Sequence, residues 1–99
     1  WLAPLNTEAV NSLASKFERV IVVDECRQTA SISEAIVTSL TEHCQNSNSH
    51  LPRIARICAE DSFIPLGSAA YHVLPACSEI VSCAINLMSP QANISPLKR

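Results

Sequence analysis

The feature that most constrains the fold is a run of four β-branched residues, VIVV at 20–23, followed at once by Asp24 and Glu25. β-Branched residues favour strands. A continuous apolar run, rather than an alternating one, is typical of a parallel-sheet strand with both faces covered. The sequence therefore predicts a central strand over residues 19–24. Its two acids then lie at the carboxyl end, where open α/β sheets bind ligands.

Two helices are predicted to flank this strand. Asn6 can cap a helix over residues 7–16. The second helix starts with the pattern of a capping box, in which the Ser31 hydroxyl and the Glu34 carboxylate each accept a hydrogen bond from a backbone amide. Its apolar positions form one stripe suited to face a sheet: Ile32, Ile36, Leu40 and Cys44, with Ala35 and Ser39 alongside.

A second strand is predicted over residues 53–58, RIARIC, where the arginines favour a less buried, more peripheral position. Strand, helix and strand at this spacing predict a βαβ unit with parallel strands. Because two strands do not form an independent sheet, the opening segment WLAPL is interpreted as the end of a third.

The last third of the chain is predicted to be a structured loop, one helical turn between Pro65 and Pro75, and a helix over residues 77–88. Apolar residues spread over more than half of this helix's circumference. Such a helix is either sandwiched or in contact with another subunit. The predicted domain covers residues 1–88, and 89–99 are predicted to be a flexible tail.

The composition indicates that part of the apolar surface of this chain is covered by other protein. Of its 99 residues, 47% are apolar and only 16% are charged, whereas soluble domains carry about a quarter charged residues. The shortfall predicts apolar surface covered by a partner or by other parts of a longer chain. No basic leader followed by an apolar stretch is present, so no signal peptide is predicted. The start at Trp1 rather than Met favours a fragment, a processed product or a trimmed chain.

Charge and cysteine content exclude several classes of protein. The net charge is −2 and the basic residues are scattered, so no nucleic-acid partner is predicted. No apolar run approaches the roughly 20 residues of a membrane span. Five cysteines without close pairs favour reduced thiols in a cytoplasmic protein, with a reactive Cys26 as the alternative.

Candidate chemistry is concentrated at the strand ends, where carboxylates could bind a divalent cation or act in acid–base catalysis. The alternative is a solvated rim whose charge is partly neutralised by Arg27 or by neighbouring backbone amides. His72 is interpreted as a packing residue, and the single Gly67 excludes a glycine-rich phosphate loop. No complete catalytic constellation is present. The rim carboxylates are Asp24, Glu25, Glu60 and Asp61.

Four segments, taken in order, resemble the C-terminal domain of the transketolase-like enzymes. They are WLAPL at 1–5, RVIVVDECRQTASISEAI at 19–36, RICAEDSFIPLG at 56–67, and VLP followed by EIV within 73–81. The chain is most similar to the β portion of thiamine-diphosphate-dependent 2-oxoacid dehydrogenases, their decarboxylating component. In that family a strand ends in an acid, an Arg or Lys and a Thr follow, and the next helix carries a Glu. Those positions here are Glu25, Arg27, Thr29 and Glu34.

The resemblance implies a three-layer α/β/α domain with a mostly parallel sheet. Thiamine diphosphate and magnesium would bind to other domains of the parent enzyme, so this chain is expected to hold no catalytic, cofactor or metal site. Its partners would be those other domains, a dimer partner and the acyltransferase core. The four matched residues would serve as structural or interface groups.

Two departures from the family pattern carry expectations of their own. The family usually has glycines after the Thr, where this chain has Ala30 and Ser31, which predicts a different backbone path there. The family's domain also begins about one strand and one helix earlier, which implies that the first strand is lacking. Two alternatives stay open: a transketolase or deoxyxylulose-phosphate synthase domain, and a stand-alone module whose acidic rim binds a cation or a basic peptide.

Overall fold

A computed structural model describes residues 4–63 and 66–89, without the side chains of Tyr71 and His72. The fold is α/β, with three α-helices, one 3₁₀ helix and a two-stranded parallel sheet in that part of the chain. The elements are α1 (Thr7–Ala14), β1 (Arg19–Arg27), α2 (Ile32–Asn46), β2 (Arg53–Ala59), the 3₁₀ helix (Gly67–His72) and α3 (Cys77–Met88).

Some predicted features lie outside the described residues: the first three residues of WLAPL, Pro65, the tail from residue 90 onward, and the side chain of His72. Leu5, within the described part, forms an isolated β-bridge. The predicted cap on α1 is confirmed, because the Asn6 side chain accepts a hydrogen bond of 3.0 Å from the Ala9 amide. The predicted helical turn before Pro75 is present as the 3₁₀ helix.

The βαβ unit is confirmed. β1 and β2 pair in parallel from Arg19 opposite Arg53 to Asp24 opposite Cys58, and an irregularity precedes the last pair. α2 connects them, as a parallel crossover requires. The pairing brings the carboxyl ends of both strands to one edge of the sheet.

The relative burial of the two strands is the reverse of the prediction. Every residue of β2 from Ile54 to Ala59 is buried, whereas no residue of β1 is. Val23 in the VIVV run is 46% exposed. β2 tolerates burial because the guanidinium of Arg56 finds hydrogen-bond partners inside the protein. β1 is the more exposed of the two, although each of the described strands pairs along one edge only.

The core lies between α2 and one face of the sheet. Leu40, Cys44 and Ile54 form its buried cluster, against which Val20 and Val37 pack. The apolar stripe of α2 is therefore confirmed in its C-terminal half. At the N-terminal half the prediction is only partly right, since Ile32 and Ile36 are half-buried and Ala35 is exposed.

The C-terminal end of α3 is held by two arginines from the sheet. Arg19 Nε donates to the Leu87 carbonyl at 3.1 Å, and Arg53 Nη1 donates to the Ser89 carbonyl at 3.0 Å. The last carbonyls of a helix lack partners within the helix and carry partial negative charge. α3 has no basic residue in its own last turn, so the sheet supplies the cations.

Replacing either arginine should weaken the attachment of α3 to the sheet. Arg19→Met and Arg53→Met are each expected to lower the free energy of unfolding by about 1 kcal/mol, the usual net contribution of such a hydrogen bond. Urea denaturation followed by circular dichroism measures the change. Lys16→Met removes an exposed positive charge and should stay within about 0.5 kcal/mol of wild type. Equal effects at all three positions would contradict this account of α3.

Candidate functional site

The site lies in the β1–α2 turn, where Asp24 serves as the acceptor for the start of α2. Its carboxylate accepts hydrogen bonds from the Ser33 amide at 3.1 Å and from the Cys26 amide at 2.9 Å. The first amides of a helix have no partner within the helix, and a carboxylate suits their partial positive charge. The acid at the strand end therefore has a structural task.

The predicted capping box is wrong. Ser31 makes no side-chain hydrogen bond to the helix amides, and its hydroxyl instead lies 2.7 Å from that of Ser33. The Glu34 carboxylate accepts from the Ala30 amide at 2.9 Å, one residue before the amide that a capping box would use. Because Asp24 comes from outside the helix, the local pattern of Ser31 and Glu34 gave no sign of it.

The hydrogen bonds at Asp24 shift its acidity. Burial alone raises the pKa of Asp24, but the bonds from Cys26 and Ser33 favour the charged form and leave the pKa below its ordinary value. A carboxyl group whose pKa is lowered by folding stabilises the fold above its unfolded-state pKa. That stabilisation is lost as the pH falls through the lower, folded-state pKa.

Asp24→Asn should lower the free energy of unfolding at pH 7 by about 0.5–2 kcal/mol, the usual effect of losing such a helix cap. The difference from wild type should shrink below about pH 4, the usual range of an aspartate in an unfolded chain. Urea titrations between pH 2 and pH 7 measure this difference in the free energy of unfolding. Glu25→Gln is the control, since Glu25 is exposed. A difference for Asp24→Asn that does not change with pH would contradict the assigned role.

Arg56 is the residue that sequence reasoning missed. Its side chain is 7% exposed and binds the turn at several points. Nε donates to the Ser33 hydroxyl at 3.2 Å, while Nη2 donates to the Gln28 carbonyl and, at 3.3 Å, to Cys58 Sγ. Nη1 lies 3.8 Å from Glu34 Oε1. The one available signal was an arginine inside an apolar strand, which requires buried partners.

Thr29 joins the two strand ends. Its amide donates to Asp61 Oδ1 at 2.8 Å, and its hydroxyl donates to Asp61 Oδ2. These hydrogen bonds hold the pKa of Asp61 below its ordinary value, and the bond from the Thr29 hydroxyl has the larger effect. Arg27 Nε donates in turn to the Thr29 carbonyl at 3.1 Å. Thr29 therefore links the β1–α2 turn to the loop after β2.

An open cleft of about 640 Å³ lies beside this link, lined by Arg27, Thr29, Asp61, Ser62 and Phe63. Phe63 is fully exposed. Of the four residues singled out from the sequence, the structure thus places Thr29 and Glu34 in hydrogen bonds that hold the turn, and Arg27 and Glu25 on the exposed rim.

The rim carboxylates do not converge. Asp24 binds the start of α2 and Asp61 binds Thr29, while Glu25 and Glu60 are exposed. Within residues 4–63 and 66–89, no three His, Cys, Asp or Glu side chains are placed to hold a metal ion.

The five cysteines are reduced thiols that differ in exposure. Cys44 and Cys58 are buried, as predicted for small core residues, whereas Cys26 and Cys77 are exposed. At Cys26, the hydrogen bond that its thiol makes with Asp24, together with the charge of that carboxylate, raises the thiol pKa. A raised pKa reduces the thiolate fraction at neutral pH, which argues against a reactive Cys26.

Ala30 adopts an unusual backbone conformation. Its φ is +57°, in the left-handed region that favours glycine. The turn therefore places an alanine in a conformation natural to glycine. Gly67, at the start of the 3₁₀ helix, has a φ of +69° that suits its residue type.

Ala30→Gly should raise the free energy of unfolding by up to about 1 kcal/mol. Relief of left-handed strain, about 1–2 kcal/mol, exceeds the extra entropy that glycine gives the unfolded chain, about 0.4–1 kcal/mol. Ala35→Gly, at an exposed position of α2, is the matched control. It should lower the free energy of unfolding by about 0.5–1 kcal/mol. Thermal and urea denaturation measure both. Destabilisation by both changes would contradict the strain at Ala30.

Comparison with protein-family profiles, with curated proteins and with solved structures gives no significant match. None of the helices among the described residues has the length and apolar character that a membrane crossing requires.

Proposed function

We propose that this chain is the C-terminal domain of the β portion of a thiamine-diphosphate-dependent 2-oxoacid dehydrogenase. In this proposal it serves subunit association and docking and does no chemistry by itself. The parent enzyme decarboxylates a 2-oxoacid and passes the acyl group to a lipoyl carrier. Support comes from the ordered sequence resemblance, from the structural use of the strand-end groups, and above all from the exposed apolar surface of α3.

The apolar stripe of α3 is the observation that carries the proposal. Val81, Ile85 and Met88 are 52%, 65% and 62% exposed and lie four and three residues apart. Residues at this spacing share one side of a helix. Leu87 is buried, so α3 is apolar both toward the sheet and away from it. An exposed apolar stripe of this kind is typical of a surface that another protein segment covers.

Charge supports the same conclusion. Glu79, at the N-terminal end, is the one charged residue of α3. The middle and the end of the helix can therefore meet an apolar partner without desolvating a charge, which would be costly. We assign this surface, the α3 stripe of Val81, Ile85 and Met88, to association with the dimer partner.

The rim residues divide into two roles. Thr29 and Glu34 fix the β1–α2 turn through Asp61 and the Ala30 amide. Glu25 and Arg27 are exposed on the rim, Arg27 while it also donates to the Thr29 carbonyl, and we assign both as interface groups toward the acyltransferase core. This division makes the strand ends a support for a reaction centre built by other domains, which hold thiamine diphosphate and magnesium.

The proposed architecture is a three-layer α/β/α sandwich. α2 packs on Val20 and Ile54, while the end of α3 binds Arg19 and Arg53, one residue earlier in each strand. Neighbouring strand residues point to opposite faces, which supports a helix layer on each side of the sheet. Five cysteines, none of them in a disulfide, support a cytoplasmic enzyme.

The decisive experiment is to sequence the open reading frame that encodes residues 1–99. The encoded protein is then assayed together with the α subunit. A thiamine-binding domain in the same enzyme, with 2-oxoacid-dependent reduction of ferricyanide, is the expected result. Sugar-phosphate transfer instead would favour transketolase or deoxyxylulose-phosphate synthase. A reading frame restricted to this domain would contradict the proposal and favour the stand-alone binding module.

A charge placed on the α3 stripe should weaken association of that enzyme. Ile85→Glu puts a carboxylate into the apolar contact and is expected to weaken dimerisation about tenfold or more, as at an interface hot spot. Asn86→Glu adds the same charge at an exposed position of α3 that is neither three nor four residues from any member of the stripe, and it should leave dimerisation unchanged. Analytical ultracentrifugation measures both. Equal weakening by the two variants would exclude the stripe as the contact.

A further inference from the structure

We infer that Arg56 and Glu34 form a binding site for a primary amide group, in a small cleft between α2 and β2. The cleft has a volume of about 230 Å³ and is lined by Glu34, Val37, Thr38 and Arg56. It shares no lining residue with the larger cleft beside Thr29. The inference goes beyond the proposed function and does not depend on it.

Arg56 provides the donor of this site. Its Nε donates to the Ser33 hydroxyl, and its Nη2 donates to the Gln28 carbonyl and to Cys58 Sγ. The N–H groups of Nη1 make no hydrogen bond with the described residues. In that part of the chain, the one fully enclosed side-chain nitrogen or oxygen without a partner is Oδ1 of Asn11. Nη1 is therefore accessible from the cleft.

Glu34 provides the acceptor. Its Oε2 accepts from the Ala30 amide, whereas its Oε1 lies 3.8 Å from Arg56 Nη1. That distance is too long for a hydrogen bond, because N–H···O bonds reach about 3.2 Å. A donor and an acceptor therefore lie side by side at the cleft without binding each other. A ligand that satisfies both gains two charge-assisted hydrogen bonds.

The two charges favour a neutral ligand. A carboxylate bound to Arg56 would lie beside the Glu34 carboxylate, and a cation bound to Glu34 would lie beside the guanidinium. Like charges brought together in this way are strongly unfavourable. A zwitterion would have to lose the hydration of two charges. A neutral group with an acceptor next to a donor meets neither cost.

The spacing favours a primary amide. Its oxygen and nitrogen are about 2.2 Å apart, as the bond lengths require. Hydrogen bonds of about 2.9 Å to groups 3.8 Å apart then need to converge only slightly. A backbone peptide bond is trans, so its N–H and C=O point in opposite directions and cannot make both bonds. Asparagine and glutamine side chains and small carboxamides present both groups on one side.

The size and lining of the cleft agree with such a group. Pockets for drug-sized ligands have volumes of roughly 300–1,000 Å³, so 230 Å³ suits a single group rather than a whole cofactor. Val37 is half-buried on α2 and provides an apolar contact for the carbon that carries the amide.

Three ring compounds of the same shape test the inference on the 99-residue protein. Benzamide is neutral, benzoate is its anionic analogue and benzamidine its cationic analogue. Benzamide should shift the NMR signals of the Val37 methyl groups with a Kd of about 1–10 mM, as expected for a ligand of this size. Benzoate and benzamidine should bind about tenfold more weakly or worse. Equal binding of the three, or no saturable shift with benzamide, would overturn the inference.

Two further compounds test the geometry. N-methylbenzamide keeps the ring, but its amide is trans, so it should bind as weakly as the charged analogues. Binding equal to that of benzamide would contradict the paired hydrogen bonds. Glycine presents an ammonium and a carboxylate together. If glycine binds more tightly than benzamide, the site selects a zwitterion and the inference is wrong.

Glu34→Gln should change the choice of ligand, which loss of a merely structural contact would not do. Without the carboxylate, benzoate should bind about tenfold more tightly than it binds to the wild-type protein. Glu42→Gln removes the same charge at an exposed position of α2 outside the cleft and should leave the order of the ligands unchanged. The same change in both variants would overturn the assignment to Glu34. Circular dichroism establishes that both variants are folded, and the wild-type comparison needs no variant.

The source of the amide is distinguished with acetylglutamine methylamide, which presents the group as a protein side chain does. Binding at least as tight as that of benzamide would assign the site to an asparagine or glutamine side chain of a partner protein. Binding of benzamide alone would assign it to a small carboxamide. Both results support the amide site, and binding of neither compound would overturn it.

Discussion

The parallel pairing of β1 and β2 is the constraint on which the rest of this structure depends. Parallel strands need a long crossover, and α2 provides it while covering one face through Leu40 and Cys44. The same pairing brings two strand ends to one edge, so that Thr29 can reach Asp61 and Arg56 can reach the β1–α2 turn. At the opposite edge it places Arg19 beside Arg53, and together they hold the end of α3.

Features that depend on local sequence could be predicted. The bounds of α3, the Asn6 cap, the two strands and their crossover all follow from spacing and residue type within a dozen or so positions. The acids at the end of β1 were likewise placed at the correct edge. What sequence reasoning could not supply was the partner of each group, because those partners come from elements far apart in the chain.

Arg56 and Asp24 illustrate that limit. An arginine in a strand is usually a sign of exposure, but Arg56 is buried because Ser33, Gln28 and Cys58 converge on it from 23, 28 and two residues away. Asp24 replaces Ser31 as the acceptor at the start of α2, from nine residues earlier. In both cases a tertiary contact overrides the local pattern.

The hold of Arg19 and Arg53 on α3 has a mechanical consequence. These residues start the strands, whereas Asp24 and Cys58 stand near their other ends, five positions later in each. Five steps along a strand amount to roughly 17 Å. A force applied to the end of α3 therefore acts on the sheet well away from the turn that Asp24 and Arg56 hold. Substitutions at the two ends should therefore change stability additively, as sites more than about 10 Å apart without shared partners usually do.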